Sequence, residues 1–369
     1  MSKWKICELG DLITFQRGFD LPKRKMVAGK YPVIGSNGII GWHNEYTTEA
    51  PSITIGRSGN VGNPFIYYGK TWSHNTTLYI KEYKNTDPVF IFYFLKTLDL
   101  SNYAGGSAVP TLNRNHIHTL KVSVPEDIEE QQKIGIFFKI FDDKIQENVR
   151  INKNLEQQAQ TLFDNFYDSL SGQSCILSEI IDIRDGTHDS PKATEQGYPL
   201  VTSKHLLPFG VDTSSANIIS KADYDNVNER SKVNTGDILI SMIGTVGLIS
   251  YVIDSPVEFA IKNVGLFKTS QHPSLDLYIL YYLKNKSTTQ HIEKCLAGST
   301  QKYISLGELR KLPIVVPSPD ELATYNLVVR PIVSEIALLV QENRRLSNLR
   351  DTLLPKLMSG ELDVSGLDI

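Results

Sequence analysis

One long run without a helix breaker decides the fold of this chain. Residues 128–170 read IEEQQKIGIFFKIFDDKIQENVRINKNLEQQAQTLFDNFYDSL, and Gly135 is the single glycine or proline among them. Within the run, apolar and amide side chains recur at alternating steps of four and three residues. They are Ile134, Phe138, Phe141, Ile145, Asn148, Asn152, Leu155, Ala159, Leu162 and Phe166. This heptad seam predicts a long helix that packs against a second helix.

A second seam repeats the same steps 191 positions later. It comprises Ile332, Ile336, Leu339, Asn343, Leu346, Arg350, Leu353 and Leu357. Because two unrelated amphipathic helices would not share a register, we predict that the two helices pack on each other as an antiparallel coiled coil. At ~1.5 Å per residue the seams span roughly 50 Å and 40 Å. Asn152 and Asn343 occupy equivalent positions and are expected to fix the register, and Pro355 is expected to end the second coil early.

The segments that precede the two helices are also copies of each other, which indicates an internal repeat. Cys7, Leu9, Leu12 and Gly18 recur 168 positions later as Cys175, Leu177, Ile180 and Gly186. The turn at 59–62 (Gly-Asn-Val-Gly) recurs at 244–247 (Gly-Thr-Val-Gly), and Gly106-Ser107 recurs as Gly298-Ser299. One repeat therefore comprises a domain followed by a long helix, and the second copy carries loop insertions.

Short β-rich runs separated by glycine, asparagine and proline turns predict mixed α and β content in both copies. The predicted strands are 52–55, 65–68, 78–80, 237–242 and 248–253, and the predicted helices are 88–98 and 275–285. We predict an α+β protein with two mixed α/β domains, whose sheets are twisted and partly barrel-like, separated by two long antiparallel coiled-coil helices in a pseudo-two-fold tandem repeat. The predicted boundaries are 1–125 for the first domain, 126–172 for the central helix, 173–317 for the second domain, and 318–369 for the distal helix and C-terminal tail.

The composition is that of an ordinary globular protein with an uneven distribution of charge. The 369 residues include 38 Lys and Arg against 41 Asp and Glu, and three cysteines. This composition, without a run of eighteen apolar residues, argues against membrane spanning, secretion, a disulfide framework and a structural zinc site, and it fits a cytoplasmic protein. Residues 1–125 carry 14 basic against 8 acidic side chains, whereas residues 126–172 carry 5 against 10. The basic first block indicates a polyanion partner, although a solvated surface with a modest excess of lysine would give the same count.

No motif for catalysis or cofactor binding is complete in the sequence. Asn63-Pro64-Phe65 lacks the second proline of an adenine methyltransferase motif, and Gly56-Arg57-Ser58-Gly59 lacks the lysine and the spacing of a phosphate-binding loop. Pro319-Asp320-Glu321 is expected to cap the second long helix rather than to supply nuclease carboxylates. His116 and His118 alternate as on a strand or loop and match no metal-ligand pattern. We therefore expect no catalytic residues, no metal site and no cofactor-binding residues in this chain.

Loops of both domains carry side chains suited to nucleic acid, because Arg matches guanine edges, Asn matches adenine, and Lys neutralises phosphate. In the first domain the candidates are Lys23, Arg24, Lys25, Ser36, Asn37, Arg57, Asn60, Trp72, His74, Asn75 and Arg114, with Asn113 and Asn115 beside the last. In the second domain they are Thr187, His188, Ser203, Lys204, His205, Ser241, Thr245, Lys262, Asn263, Gln301 and Lys302. Each candidate alone is a weak signal, since Asn and Lys are ordinary loop residues. Equivalent frameworks with different loops imply two different half-targets.

Three motifs carry a resemblance to a known family. They are the opening Trp4-Lys5-Ile6-Cys7-Glu8-Leu9-Gly10-Asp11-Leu12, the Gly-Ser followed by a closing leucine and proline in each copy, and the final LLPKLMSGEL at 353–362. Over essentially its whole length the chain resembles the specificity subunit (S subunit) of Type I restriction-modification systems. The resemblance implies a non-catalytic protein with two target-recognition domains, each of which reads one half of a bipartite target in double-stranded DNA.

The resemblance also implies the partners of the chain. Two methylase (modification) subunits would dock on the helical region, and motor-nuclease (restriction) subunits would join them in the full complex. S-adenosylmethionine, ATP and Mg²⁺ would then be bound by those partner subunits and not by this chain.

The predicted length of the helices agrees with this interpretation. One turn of B-DNA is roughly 34 Å, so rigid helices of roughly 40 to 50 Å could hold two readers over half-sites on nearly the same face of the duplex. Two alternatives stay open from the sequence. One is a fused nuclease or methylase whose motifs have diverged, which would act on DNA by itself. The other is a coiled-coil scaffold that binds only protein, for which DNA affinity would show no steep dependence on salt.

Overall fold

The computed structural model describes residues 3–105 and 110–362 of the chain. Two compact units are formed, and each takes one end of both long helices. Unit 1 comprises residues 1–147 and 343–369, and unit 2 comprises residues 148–342. Of the repeated sequence motifs, Gly106-Ser107 lies outside the described residues.

Unit 1 contains short strands and three short α-helices, followed by a long helix. The strands are β1 (Trp4–Glu8), β2 (Ile13–Arg17), β3 (Tyr31–Gly35), β4 (Gly38–His43), β5 (Ser52–Gly56), β6 (Pro64–Tyr67), β7 (Trp72–Ser73), β8 (Thr77–Tyr83), β9 (Ala104–Gly105), β10 (Thr111–Leu112) and β11 (Lys121–Pro125). The short helices are α1 (Leu9–Leu12), α2 (Pro88–Thr97) and α3 (Arg114–His118), and the long helix α4 (Ile128–Ser169) follows. The strands form sheets in the orders β2-β8-β5-β6, β4-β3-β7, β1-β11 and β10-β9.

Unit 2 repeats this organisation with additional helices. Its strands are β12 (Ser174–Ile176), β13 (Ile183–Asp185), β14 (Tyr198–Val201), β15 (Asn217–Ile219), β16 (Ile238–Ser241), β17 (Ile249–Tyr251), β18 (Ala260–Ile261), β19 (Val264–Phe267) and β20 (Pro313–Val315). Its helices are α5 (Lys221–Ser231), α6 (Asp276–Lys284), α7 (Lys286–Lys294) and α8 (Leu306–Arg310), followed by the long helix α9 (Pro319–Met358). The sheets have the orders β13-β19-β16-β17, β15-β14-β18 and β12-β20.

The strand orders confirm the tandem repeat. Each sheet of unit 2 matches a sheet of unit 1 strand for strand, and the one parallel pairing recurs as well, since β3 pairs with β7 and β14 pairs with β18 in parallel. The predicted strand and helix segments in both copies are confirmed. The sheets of the described residues are open, with two to four strands, and none of them closes into a barrel.

Buried apolar side chains explain why each unit is compact. In unit 1, β5 is buried along its whole length, and α2 begins with Asp87 as its N-cap and Pro88 in its first turn. The remainder of α2 is apolar on nearly all sides, so it is held inside the core rather than on the surface. Ile134 and Phe138 of α4 join the same core together with Leu354 of α9.

The long helices pair antiparallel within each unit. In unit 1, Asn343 donates from Nδ2 to the carbonyl oxygen of Ile145 (3.4 Å), and Arg350 contacts Asp142. In unit 2, Asn148 donates from Nδ2 to Glu342 Oε2 (2.7 Å). Residue numbers on one helix fall as those on the other rise, which confirms the antiparallel pairing predicted from the seams.

The structure corrects three details of the helix predictions. Leu162 is 36% exposed, and its neighbour Phe163 is fully buried in the core of unit 2. Pro355 does not end the second helix early, because α9 continues to Met358 and has 40 residues against 42 for α4. His116 and His118 lie on the short helix α3 and not on a strand or loop.

The other seam residues lie at least half-buried. Phe141 and Leu353 pack against the core of unit 1, and Leu155 packs against the core of unit 2, where Ile336 is fully enclosed. Those that remain partly accessible are Ile145, Asn152, Leu339, Asn343 and Leu346.

Candidate nucleic-acid interface

A glycine turn in unit 1 presents Arg57 and Asn60 at the end of β5. The Gly62 N–H donates to the carbonyl of Gly56 (2.8 Å) and the Val61 N–H to that of Gly59 (3.0 Å). Gly59 and Gly62 both have positive φ angles, a conformation that glycine adopts without strain. The backbone of the turn is therefore fixed, while the Asn60 side chain is exposed.

The same turn is built in unit 2 from a different sequence. The Gly247 N–H donates to the carbonyl of Ser241 (3.1 Å) and the Val246 N–H to that of Gly244 (3.0 Å), so both hydrogen bonds of the first turn recur. Gly244 and Gly247 again have positive φ. The exposed residue of this turn is Thr245 where unit 1 has Asn60. The two units thus share one backbone frame that carries different side chains.

A hydrogen-bonded pair of side chains also occupies equivalent positions in the two units and differs in one of its members. In unit 1, Asn75 donates from Nδ2 to Asp20 Oδ1 (2.8 Å). In unit 2, His188 Nδ1 lies 2.7 Å from Asn263 Oδ1. Asp20 and His188 are 168 positions apart, the offset of the repeat at this point. An asparagine is therefore kept in both units, and its partner changes from a carboxylate to an imidazole.

Backbone and side-chain contacts gather several predicted residues of unit 1 into one surface. Arg57 donates from a terminal guanidinium nitrogen to the Asn75 carbonyl (3.5 Å), and the Ser36 N–H donates to Thr76 Oγ1 (3.3 Å). His74 Nδ1 lies 3.0 Å from Thr76 Oγ1. The strand β10, which leads into the helix that begins at Arg114, is tied to this cluster by the hydrogen bond from the Leu112 N–H to the Arg57 carbonyl (2.9 Å).

Partial burial sets the electrostatics of this cluster. Desolvation lowers the pKa of the Arg57 guanidinium, and the nearby charge of Arg17 lowers it further, although arginine stays charged near neutrality. Desolvation also lowers the pKa of His74, with the carboxylate of Asp20 acting in the opposite direction. His74 is therefore expected to be a neutral hydrogen-bonding group at pH 7, and Arg57 supplies the positive charge.

A cleft of about 160 Å³ in unit 2 collects further predicted residues. Lys204 and Lys262 line it, together with Ser190 and Asn217. Lys262 donates from Nζ to Ser190 Oγ, and Lys204 Nζ lies 3.5 Å from the carbonyl of Ser215. Two ammonium groups at a small polar cleft fit an anionic ligand such as a phosphate group.

The predicted residues differ in how accessible they are. Exposed residues are Lys23, Arg24 and Lys25 in a single-turn helix, and Asn37, Asn60, Asn113, Arg114, Asn115, His188, Lys204, Thr245, Gln301 and Lys302. Half-buried residues are Ser36, Arg57, Trp72, His74, Asn75, Thr187, Ser203, Lys262 and Asn263. Gln301 and Lys302 lie beside the turn of unit 2, since the Gly244 N–H donates to the Lys302 carbonyl (3.2 Å).

Burial corrects the prediction of Ser241 and His205 as DNA contacts, and Trp72 is enclosed on part of its surface. Ser241 is fully buried, where its hydroxyl donates to the Thr245 carbonyl (2.6 Å) and accepts from the Leu248 N–H (2.8 Å), so it holds the turn together. His205 is buried, and its Nδ1 accepts from the Thr202 N–H (2.9 Å). The ring of Trp72 packs edge-on against Phe19 and His43, and its Nε1 is buried.

The structure also adds residues that the sequence did not single out. Asp20 is a carboxylate and not a donor, so residue type did not indicate it, although the repeat offset relates it to His188. Phe19, Ile39 and Trp42 are large apolar residues that remain exposed in unit 1. Two of them lie on β4, and alternation along one short strand gives too weak a signal to separate them from buried residues.

A second candidate surface lies on the long helices. In unit 1, Ile136 of α4 is 44% exposed, and in unit 2, Leu327 of α9 is 78% exposed. These two residues are 191 positions apart and are therefore equivalent in the repeat. By length and composition α9 could cross a membrane, but Tyr325 and Val329 pack into the core of unit 2. Its exposed apolar residues instead indicate a protein-docking face.

Comparisons with known proteins agree with the repeat. The family model described as "Type I restriction modification DNA specificity domain" matches residues 1–157 and 174–322. The MjaIX specificity subunit of a Type I restriction enzyme of Methanocaldococcus jannaschii is 24% identical over 306 residues, which cover 75% of this chain and 70% of that protein. The MjaVIII specificity subunit of the same organism is 22% identical and covers 99% of this chain and 94% of that protein.

A solved structure shares the fold. The crystal structure of the S subunit of a Type I restriction-modification system from M. genitalium aligns over 96% of both chains with a TM-score of 0.62 and 16% sequence identity.

Proposed function

The chain belongs to the Type I restriction modification DNA specificity family, and from this membership we propose how its parts divide the reading of one DNA target. The chain is a non-catalytic specificity subunit, and DNA and the other subunits of a restriction-modification complex are its partners. Unit 1 reads one half of a bipartite target and unit 2 reads the other.

The main support for this assignment of one half-site to each unit comes from a comparison of two equivalent turns. The turns at 59–62 and 244–247 have the same backbone hydrogen bonds, whereas their exposed side chains differ. The side chains that contact Asn75 and Asn263 differ in the same way. Base edges are distinguished by donor and acceptor patterns, so a common frame with different side chains presents two different patterns to the duplex. The half-sites are then unlike, and the target is asymmetric.

The equivalent apolar positions on the helices support a proposal about the partners. Two identical methylase subunits would bind equivalently if each used one repeat, because the repeats are related by pseudo-symmetry. Ile136 and Ile140 in unit 1, and Leu327 and Val328 in unit 2, are exposed apolar residues suited to this role. Motor-nuclease subunits would join this assembly in the cytoplasm. S-adenosylmethionine, ATP and Mg²⁺ would be held by the partner subunits.

Mapping of methylated adenines at base resolution tests the function. The source strain is compared with a strain that lacks the gene and with the same strain after complementation. We expect one split motif with an unread spacer to lose its methylation completely and to regain it on complementation. An unchanged map in a strain whose methylase is expressed would overturn the proposal, and methyl transfer by this chain alone would support the alternative of a fused enzyme.

Substitution of Arg57 tests the role of unit 1 in base reading. If Arg57 bonds a guanine edge in bidentate fashion, Arg57→Ala should cost ~1 to 3 kcal/mol and relax one position of the first half-site only. Binding of the complex with its methylase to oligonucleotides that vary each position in turn measures this loss. A uniform weakening across all sequences, with a shallower salt dependence, would make Arg57 a phosphate contact instead.

Substitution of the exposed helix residues tests the docking proposal. Ile136→Asp and Leu327→Asp should each remove one of two methylase subunits, because a charge in an apolar interface core is costly to desolvate. Native mass spectrometry of the complex should show a single methylase with either variant and none with the double variant. Leu207→Asp, which changes an exposed loop leucine of unit 2, serves as the control and should keep both subunits. Retention of two methylases by the double variant would contradict the proposal.

A further inference from the structure

A charged pair lies between the long helices in unit 1. Arg350 of α9 contacts Asp142 of α4, and both side chains are 19% exposed. Tyr93 of α2 donates from its hydroxyl to Asp142 Oδ2 (2.7 Å), and Lys96 of the same helix lies 3.9 Å from that oxygen. Arg350 also bonds its neighbour Asp351 from Nε (2.8 Å). The carboxylate of Asp142 is therefore the centre of a charged layer in the seam of unit 1.

In unit 2 the two positions equivalent to Asp142 and Arg350 carry no charge, although Lys284, the equivalent of Lys96, pairs with Glu156 of α4. The repeat offset of 191 places Val333 at the position of Asp142 and Ala159 at the position of Arg350. Both are buried in the core of unit 2. Tyr281 stands where unit 1 has Tyr93, and its buried hydroxyl has no hydrogen-bond partner among the described residues. The two ends of the helix pair therefore use different chemistry at one structural position.

The repeat also permits a second way of pairing the long helices, between two copies of the chain, and the charged pair of unit 1 acts against it. Because α4 and α9 share one register, α4 could pair with α4 of a second copy of the chain, and α9 with the α9 of that copy, in the same antiparallel arrangement. In an α4–α4 pair each Asp142 would face Ala159, and in an α9–α9 pair each Arg350 would face Val333. Tyr93 and Lys96 belong to α2 and would stay beside Asp142, so Arg350 is the contact that depends on the choice of helix.

We infer that the Asp142–Arg350 pair makes the helix surface selective for the unlike helix and rejects a second copy of this chain. The native pairing of α4 with α9 has one attraction between Asp142 and Arg350. An α4–α4 pair instead leaves two Asp142 side chains without Arg350, and an α9–α9 pair leaves two Arg350 side chains without Asp142. Charged and polar seam residues are known to choose pairing partners at a cost in stability. The pair would thereby keep α4 paired with α9 of the same chain rather than with a helix of a second copy. The inference concerns the helices alone and holds whether or not the proposed division of DNA reading is right.

Disulfide trapping in the full chain tests this inference. In the native pair Asn343 contacts Ile145, and the equivalent of Asn343 in α4 is Asn152. An Ile145→Cys, Asn152→Cys chain places two thiols ~10 Å apart along one helix, which is too far for a bond within the chain. In an α4–α4 pair each thiol would face a thiol of the other copy. Cys7, Cys175 and Cys295 are replaced by alanine so that only these thiols react.

The measured quantity is the fraction of covalent dimer after mild oxidation. With Asp142 and Arg350 present we expect only a trace of dimer. With Asp142→Val and Arg350→Ala, which copy the layer of unit 2, we expect the dimer fraction to rise at least several-fold and to depend on protein concentration. Lys139→Ala with Asp143→Ala removes an exposed ion pair on the same helix and should leave the dimer at its trace level.

Two further variants keep the inference testable if the apolar double variant folds poorly. Asp142→Asn preserves shape and removes the mismatch in charge, so it should raise the dimer fraction part of the way. Arg350→Ala keeps Asp142 with Tyr93 and Lys96 and removes only the contact that depends on the choice of helix, so it should also raise the dimer fraction part of the way. An unchanged dimer fraction in well-folded Asp142→Val, Arg350→Ala protein, or in Asp142→Asn protein, would overturn the inference and leave the pair as a contributor to stability only.

Discussion

Replacement of Phe163 by alanine is expected to destabilise unit 2 by about 3 to 5 kcal/mol, the usual cost of removing a fully buried aromatic side chain. Phe163 has no exposed surface and lies among aromatic rings of both α6 and α9. Its ring centroid is 5.5 Å from that of Tyr278 and 6.2 Å from that of Tyr325. The cavity left by alanine would remove contacts on two sides of the helix, and the surrounding rings could close it only in part.

The adjacent leucine provides the matched control. Leu162→Ala changes a partly exposed side chain and should alter stability by about 0.5 kcal/mol or less, as surface substitutions usually do. Hydrogen exchange of the α6 amides is the appropriate measurement, because the three tryptophans, Trp4, Trp42 and Trp72, are in unit 1 and their fluorescence does not report on unit 2. A larger effect at Leu162 than at Phe163 would show that the strict heptad describes the packing better than the structure does.

The contrast between these neighbours shows where the sequence prediction was limited. A strict coiled coil buries one seam toward one partner, and that pattern predicted Leu162. The C-terminal part of α4 packs against α6 as well as α9, so its buried face is broader and follows the 3.6-residue period of an ordinary helix. Ala159, Phe163 and Phe166 fit this broader face. The periodicity therefore predicted the helix and its pairing, and tertiary contacts decided which residues of that helix are buried.

The strand and helix segments of the two domains could be predicted from the sequence, but the pairing of the strands into sheets could not. Runs such as 52–55 were recognisable because buried strands are rich in β-branched residues. The order β2-β8-β5-β6 joins segments that are far apart in the chain, and nothing local in the sequence encodes such contacts. Prediction of the candidate DNA-contact residues was limited in a similar way, because their surroundings are set by the fold. Ser241 and His205 looked like free donors, yet both are consumed by backbone hydrogen bonds in their own loops.

Substitution of Gly56 by alanine is expected to weaken reading of the first half-site strongly. A Cβ at position 56 would lie 1.6 Å from the carbonyl oxygen of Asn60, so the turn would have to move by more than an ångström. The moved segment contains Arg57 and Asn60. Loss of even one well-placed base contact costs ~1 to 3 kcal/mol, which corresponds to roughly fivefold to 150-fold in affinity. Methylation of the split motif should fall by at least about fivefold in cells that carry the variant.

Two glycine-related variants separate this effect from general damage to the fold. Gly105→Ala adds a Cβ that meets no atom within 4 Å, so it should leave methylation unchanged. Ser241→Gly removes the hydroxyl that unit 2 uses at the position equivalent to Gly56, at a cost of about 1 kcal/mol for each of its two hydrogen bonds. It should weaken the second half-site without affecting the first. If Gly56→Ala methylates the native motif at the wild-type level, the turn does not position base-reading residues, because a frame displaced that far could not present the same contacts.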